Sequence, residues 1–186
     1  MNLKPWIEAA RLRTLPLALS SIIMGTATAI HFGYFSWSVF LLAVLTTVFL
    51  QVLSNFANDY GDAVSGKDNA GRIGPQRAVA SGAISAASMK KAVILFASLS
   101  FLSGLALLFV AFQNWLMIFA FVLIGLAAIT AAIKYTVGKN PYGYNGLGDV
   151  FVFIFFGLVG VLGSYFLFSK NFEIMVVLPS TTIGLL

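Results

Sequence analysis

The chain has 186 residues, of which 60% are hydrophobic and 9% charged, with a mean hydropathy of +0.96 and a net charge of +5. That much apolar surface exceeds what one soluble core of this size buries, so the composition excludes a soluble globular protein and indicates a membrane protein. The basic residues form no continuous stripe that follows a phosphate backbone, which argues against nucleic-acid binding, and without cysteine neither disulfides nor thiolate chemistry are available.

Apolar runs in chain order predict an all-α bundle of transmembrane helices. A short amphipathic segment, residues 3–12, is typical of an interfacial helix and precedes them. Five runs approach the roughly 20 residues with which a helix crosses about 30 Å of hydrocarbon; they are residues 15–32, 37–57, 92–112, 115–133 and 150–168. Residues 174–186 form a shorter sixth run. No run alternates as membrane β-strands do, so we expect five full spans and a truncated sixth in one domain, residues 1–186.

The distribution of basic residues predicts how these helices are oriented. Ten of the 11 lysines and arginines lie before the first run or in the connections after the second and fourth runs, and only Lys170 lies elsewhere. The positive-inside rule therefore places the amino terminus and both polar connections in the cytoplasm, as expected for a bacterial cytoplasmic membrane protein. Residues 27–29, Ala-Thr-Ala, also fit a signal-peptide cleavage site. Cleavage there would remove the first span and reverse this regular alternation of charge.

A polar cluster ends the second apolar run. Asn55, Asn58, Asp59 and Asp62 recur at the spacing i, i+3, i+4 and i+7, so they share one face of a helix. Carboxylates at the end of a membrane helix are costly unless they face a water-filled cavity, a cation or a partner, and this spacing therefore indicates a functional site. The alternative is a solvated helix end with ordinary loop acids.

The connection that follows adds another acid and three bases, Asp68, Lys67, Arg72 and Arg77. Carboxylate and amide oxygens are hard ligands that suit Mg²⁺, which also binds phosphate oxygens. Arginines hold phosphates through forked hydrogen bonds. Acids and bases together therefore predict a polyphosphate bound through magnesium, whereas acids alone would suggest a cation path.

The next polar connection, residues 134–149, is rich in glycine and tyrosine and is predicted to lie on the same side. Lys139 suits a diphosphate or a substrate carboxylate, and the rings of Tyr142 and Tyr144 suit a hydrophobic pocket or a developing cation. Interfacial tyrosines and a lysine that anchors topology are the alternative. Asp149 begins an apolar run, where it is either a helix cap or a site acid.

These motifs resemble a known family over essentially the whole chain. The run NDYGD, then GKD and RIGPQR, with RLRTLP before them and YTVGKNPYGYNGLGD after, is similar to the UbiA-like intramembrane aromatic prenyltransferases. The first motif of that family is written NDxxDxxxD. Asn58, Asp59 and Asp62 match its first three positions, Gly66 stands at the last, and Asp68 follows two residues later. This shifted form resembles the branch of the family that acts on a naphthoate.

The resemblance implies Mg²⁺-dependent transfer of a polyprenyl group from polyprenyl diphosphate to an aromatic acid, 1,4-dihydroxy-2-naphthoate, in menaquinone synthesis. The implied metal ligands are Asn58, Asp59, Asp62 and Asp68. The implied diphosphate ligands are Lys67, Arg72, Arg77 and Lys139. Asp59, Asp62 and Asp149 are implied to be catalytic, and the implied pocket residues for the aromatic acid or the cation are Asn55, Tyr142 and Tyr144.

The family also implies about nine helices and a second aspartate motif after the sixth, so we expect this chain to be the amino-terminal portion of a longer membrane protein. Three alternatives stay open. One is a related enzyme that prenylates a benzoate or forms a haem or chlorophyll side chain. Another is a transporter in which Asp59, Asp62 and Asp68 bind a passing cation. The last is an inactive fragment that serves as a membrane scaffold. The sequence does not predict an oligomeric state.

Overall fold

The computed structural model describes residues 3–68 and 77–186. Within these ranges the regular structure is helical, with no strand, and five helical segments are long and apolar enough to cross a membrane. The predicted all-α transmembrane fold is therefore confirmed. Of the predicted site residues, Arg72 lies outside the described residues.

The amino-terminal segment is separated from the first span by a break at Arg11. Helix α1 covers Lys4–Ala10, and Arg11 then adopts a left-handed conformation with φ +48°. A single 3-10 turn, Leu12–Thr14, leads into α2, Leu15–His31. Pro16 lies in the first turn of α2, where its missing N–H costs no helical hydrogen bond. The predicted short helix and first span are thus distinct elements.

Helix α3, Trp37–Val64, extends past the predicted end of the second span. It begins after Ser36, whose side chain accepts the N–H of Val39 at 3.5 Å. Hydropathy ends the span at residue 57, but the polar residues beyond it are packed against neighbouring elements, so the helix continues. All four polar residues predicted to share a helix face therefore lie on α3; they are Asn55, Asn58, Asp59 and Asp62.

Helices α4, Ala86–Ala111, and α5, Trp115–Lys134, form an antiparallel hairpin. The Asn114 side chain accepts the N–H of Leu116 at 2.8 Å and caps α5. Helix α4 packs extensively against α3, where the rings of Phe56 and Phe96 meet edge to face at 5.2 Å. This packing fixes α3 relative to the hairpin.

The fifth span covers Gly148–Ser169 and is not a uniform α-helix. It consists of α6, Gly148–Val152, then a π-helical segment, Phe153–Gly163, and then α7, Ser164–Ser169. A 3-10 turn, Ile174–Val176, and the short helix α8, Val177–Gly184, follow, and α8 packs against the π-helical segment. The sixth apolar run is therefore helical as well.

Helix α2 crosses the fifth span at small residues. A Cβ atom added at Gly160 would lie 2.7 Å from Ser21 Cβ, and one added at Gly25 would lie 2.6 Å from the carbonyl oxygen of Val161. Real Cβ atoms do not approach other heavy atoms so closely, so these two helices touch only because glycine stands there.

Replacing Gly25 by alanine is expected to lower the unfolding temperature in detergent, because the Val161 carbonyl is fixed backbone and cannot move aside. Overpacking of this kind costs roughly 1–3 kcal/mol. The matched control is Gly125→Ala in α5, where an added Cβ meets nothing within 4 Å. Equal unfolding temperatures for the two variants would contradict the close crossing of α2 and the fifth span.

Candidate functional site

A cluster of charged side chains lies at the carboxyl-terminal end of α3. Nη1 of Arg77 pairs with Asp62 Oδ2 and donates to the carbonyl oxygen of Asn58, and Nε of Arg77 lies 3.7 Å from Asp68 Oδ2. The side chains of Arg77, Asp62 and Asp68 are only 10%, 7% and 3% exposed. One guanidinium therefore lies between two buried carboxylates beside the helix end, with a charge-assisted contact to Asp62 and a longer ion pair with Asp68.

The turn after α3 brings Asp68 back to Asp62. The carbonyl oxygen of Asp62 accepts the N–H groups of Lys67 and Asp68 at 3.1 and 3.3 Å. Gly66 has φ +70°, a left-handed conformation that glycine adopts without strain. Glycine therefore occupies the position where the family motif has its last acid, and the turn it makes places the carboxylate of Asp68 at the cluster instead.

The carboxylate of Asp59 points to the returning chain. Its Oδ2 accepts the N–H of Ala78 at 3.1 Å and its Oδ1 accepts the N–H of Val79 at 3.0 Å. Asp59 is 1% exposed. Both oxygens of this predicted metal ligand are therefore engaged by the backbone that directly follows Arg77.

Asn58 faces a different neighbour, the end of α5. Its Oδ1 lies 3.2 Å from the hydroxyl of Thr136, which also donates to the carbonyl of Ala57 at 3.0 Å. A Cβ atom at Gly61 would lie 2.6 Å from Thr136 Oγ1, so this glycine permits the close approach. Buried Thr136 is absent from the site residues predicted from the sequence. The signal that points to it is a glycine between the acids of a helical motif, which indicates close approach of another chain segment.

Tyr144 joins the second polar connection to the cluster. Its hydroxyl donates to Asp62 Oδ1 and lies 3.4 Å from Ser65 Oγ, while Nζ of Lys67 lies 4.9 Å from the centre of its ring. Burial, together with the hydrogen bond to Asp62, raises the pKa of Tyr144 above its ordinary value. The phenol therefore stays protonated near neutral pH and can remain a donor to Asp62.

Tyr142 lies on the other side of the same connection, against the fifth span. Its ring stacks on Phe151 with centroids 3.8 Å apart, and its hydroxyl donates to the carbonyl of Ala131 at 2.7 Å. Burial raises the pKa of Tyr142 to about 12. This neutral phenol fixes an aromatic wall between α5 and the fifth span.

Three predicted site residues lie apart from the cluster. The amide nitrogen of Asn55 donates to the carbonyl of Ala10 at 2.8 Å and to Thr14 Oγ1 at 3.0 Å, which ties α3 to the segment before α2. Lys139 and Asp149 are exposed, and among the described residues no hydrogen bond or ion pair joins either to Asp62 or Arg77. The predicted functional roles of these three residues stay predictions.

A cavity of about 750 Å³ lies between α2, α3, α4, α5 and the fifth span. Its volume is within the range of small-molecule sites. Its walls are mostly apolar and aromatic, with Phe121 and Phe155 among them, and Asn58, Tyr135 and Tyr142 line it near the charged cluster. Asn58 lines the cavity, and its backbone carbonyl accepts a hydrogen bond from Arg77. The cavity and the charged cluster are therefore adjacent.

The side chains near the end of α3 offer oxygen donors of the kind that bind a divalent cation together with a phosphate. Within residues 3–68 and 77–186, no three or more His, Cys, Asp or Glu are grouped so as to hold a metal alone. Magnesium, however, is usually bound by one or two carboxylates together with substrate phosphates. Asp62 and Asp68 supply such oxygens on the two sides of the Arg77 guanidinium, and Asn58, one turn before Asp62 on α3, has an amide oxygen that accepts from Thr136.

Comparison with known proteins identifies the family. Residues 18–186 match the model of the UbiA prenyltransferase family. The 1,4-dihydroxy-2-naphthoate octaprenyltransferase of Haemophilus influenzae is 50% identical over 191 residues, covering 100% of this chain and 61% of that protein. The enzyme of the same name from Escherichia coli K12 is 49% identical over 181 residues, covering 97% and 59%. The one from Mycobacterium leprae is 40% identical over 159 residues, covering 86% and 52%.

The chain therefore spans between 52% and 61% of the length of these three relatives. No solved structure matches it significantly.

Replacing Arg77 by glutamine is expected to lower the unfolding temperature by several degrees, because two buried carboxylates lose their shared guanidinium. Removing one partner of a buried ion pair typically costs about 3–5 kcal/mol. The matched control is Lys90→Gln, which removes an exposed base at the start of α4. Adding Asp68→Asn to the Arg77 variant should restore part of the loss. An Arg77 variant as stable as the Lys90 variant would contradict the buried cluster.

Proposed function

Because the chain belongs to the UbiA prenyltransferase family, we propose that the full-length protein transfers a polyprenyl group from polyprenyl diphosphate to 1,4-dihydroxy-2-naphthoate. The names of three relatives that are 40–50% identical support this acceptor and a role of the protein in menaquinone synthesis. In the reaction the allylic C–O bond to diphosphate breaks, a C–C bond forms to the ring, the acceptor carboxylate leaves as CO₂, and the product is demethylmenaquinol, the reduced form of demethylmenaquinone.

The observation that carries this proposal is the position of Asn58. Asn58 lines an apolar, aromatic cavity. Its backbone carbonyl contacts the Arg77 guanidinium, which also pairs with Asp62 and Asp68. A polyprenyl diphosphate likewise consists of a long apolar tail joined to a highly charged head. The tail fits the cavity and the head fits the cluster, and Asn58 lies where the two parts of the substrate join.

Each end of the substrate has its own ligands in this proposal. Asp62, Asp68 and Asn58 would hold a Mg²⁺ ion, which when bound neutralises the diphosphate and favours its departure. Arg77 and Lys67 bind the diphosphate oxygens beside them, with Arg72 and Lys139 as further candidates from the sequence. Tyr144 donates to Asp62 and keeps its carboxylate in one orientation.

The cavity wall protects the reacting carbon. Loss of diphosphate leaves positive charge on an allylic carbon, which water would quench. The apolar lining excludes water, and the π-faces of the stacked pair Tyr142 and Phe151 attract a cation. The high pKa of Tyr142 keeps its ring neutral during this step.

The proposed location is a bacterial cytoplasmic membrane, with the amino terminus and both polar connections in the cytoplasm. The chain is an integral membrane protein, and the part of it that the structure describes has five helical segments that can span the bilayer. Exposed Arg13, Lys90, Lys91 and Lys139 lie at the same ends of these helices as the charged cluster, which supports this orientation. A water-soluble aromatic acid would then reach the cluster from the cytoplasm.

Replacing Asp62 by asparagine in the full-length protein is expected to lower the rate of prenyl transfer by at least about 100-fold, because a charged ligand at the diphosphate site is lost. Membrane insertion should be unchanged, since the side chains have nearly the same volume. The matched control is Glu8→Gln, which neutralises an exposed acid on α1. The assay measures labelled polyprenyl diphosphate converted to extractable quinone precursor in the presence of Mg²⁺.

Near-normal turnover of the Asp62 variant would refute its assignment. Use of 4-hydroxybenzoate in place of the naphthoate would indicate a benzoate-type enzyme. Cation flux through proteoliposomes without any prenyl transfer would favour a transporter.

A further inference from the structure

We propose that Asp59 is a positioning residue and not a metal ligand. Its carboxylate binds the backbone that follows Arg77, an interaction that we call the clamp. The clamp holds the Arg77 guanidinium between Asp62 and Asp68. This assignment rests on the proposed function for its catalytic consequence. The clamp itself is a property of the fold and is testable without any activity.

The geometry of the clamp is bidentate. The two oxygens of Asp59 accept two successive backbone N–H groups, those of Ala78 at 3.1 Å and Val79 at 3.0 Å. Asp59 is 1% exposed and Ala78 is 9% exposed. Because Ala78 is the residue next to Arg77, fixing its amide fixes the backbone from which the Arg77 side chain extends.

The far side of the clamped segment is fixed as well. The carbonyl of Ala78 accepts the N–H of Ile84 at 3.0 Å, and the carbonyl of Arg77 accepts the N–H of Ser81 at 2.9 Å. Ile84 is buried, and α4 begins two residues later. The turn between Arg77 and α4 is therefore held by Asp59 at one end and by α4 at the other.

A metal ion at Asp59 would conflict with this arrangement. Hydrogen bonds to a carboxylate are stronger than neutral ones, and a buried N–H left without a partner is costly. Each oxygen keeps a second lone pair, but a metal ion there would have to enter a site that solvent does not reach and lie beside an amide N–H that its positive charge repels. Asp62 and Asp68, in contrast, contact side chains that can move aside.

Limited trypsin digestion of the full-length protein in detergent tests the clamp directly. The bond between Arg77 and Ala78 is a trypsin site whose N–H is bound by Asp59. In Asp59→Ala we expect cleavage there to be at least about tenfold faster than in wild type, since hydrogen bonds to a charged group are lost. Asp59→Asn keeps one acceptor oxygen and should be intermediate. Cleavage after exposed Lys139 is the internal reference, and Glu8→Gln is the matched control.

An Asp59→Ala protein cleaved after Arg77 at the wild-type rate would overturn the clamp. Because this readout needs no substrate, failure of the proposed reaction would leave it unaffected.

Kinetics of Asp59→Asn distinguish positioning from metal binding. We expect a raised KM for polyprenyl diphosphate with an unchanged half-saturating Mg²⁺ concentration, whereas Asp62→Asn should raise the Mg²⁺ requirement. In an Arg77→Gln background, adding Asp59→Asn should cause no further increase in KM, because both changes act through the same guanidinium. A shift in Mg²⁺ requirement as large as that of Asp62→Asn, or additive effects with Arg77→Gln, would overturn the proposal.

Discussion

The site is organised by the interaction of one buried guanidinium with two carboxylates. Charges removed from water are tolerated only where partners compensate them, so Arg77, Asp62 and Asp68 must stay together once the helices pack. Two other features of the structure serve this requirement. Gly66 turns the chain so that Asp68 returns to the helix end, and Tyr144 brings the second polar connection onto Asp62. The end of α3 is thereby joined to the connection that follows α5 by a hydrogen bond as well as by packing.

The same interaction explains why the cavity lies where it does. Asn58 is one turn before Asp62 on α3, so a helix that presents Asp62 to Arg77 also presents Asn58 to the space between α3 and α5. Close packing around Gly61 and Thr136 holds that face in register. The result is an apolar cavity that ends at the charged cluster. This arrangement matches a lipid-linked diphosphate, which joins an apolar tail to a charged head. An enzyme embedded in the bilayer can take such a donor without moving its tail through water.

Hydropathy predicts the spans well because burial of apolar side chains determines where helices cross the bilayer. It ends the second span too early, at residue 57, because Asn58, Asp59 and Asp62 reduce the mean hydropathy although they remain helical. Their spacing correctly predicts a common face, yet the face divides among three neighbours: Asn58 contacts Thr136, Asp59 the backbone after Arg77, and Asp62 the guanidinium. That division depends on tertiary partners far along the chain, which spacing does not contain. The π-helical segment, Phe153–Gly163, has no local signal in the sequence that we could identify.

In the proposed function, the carboxyl-terminal end of α3 would bind a divalent cation together with a diphosphate. Manganese can replace magnesium at oxygen sites and is detected by electron paramagnetic resonance, so the most direct measurement is Mn²⁺ binding to the full-length protein with an unreactive polyprenyl thiodiphosphate. We expect bound Mn²⁺ that depends on the diphosphate and is lost in Asp62→Asn. Equal Mn²⁺ binding in that variant, or Mn²⁺ binding that does not change with the diphosphate, would contradict the proposed site.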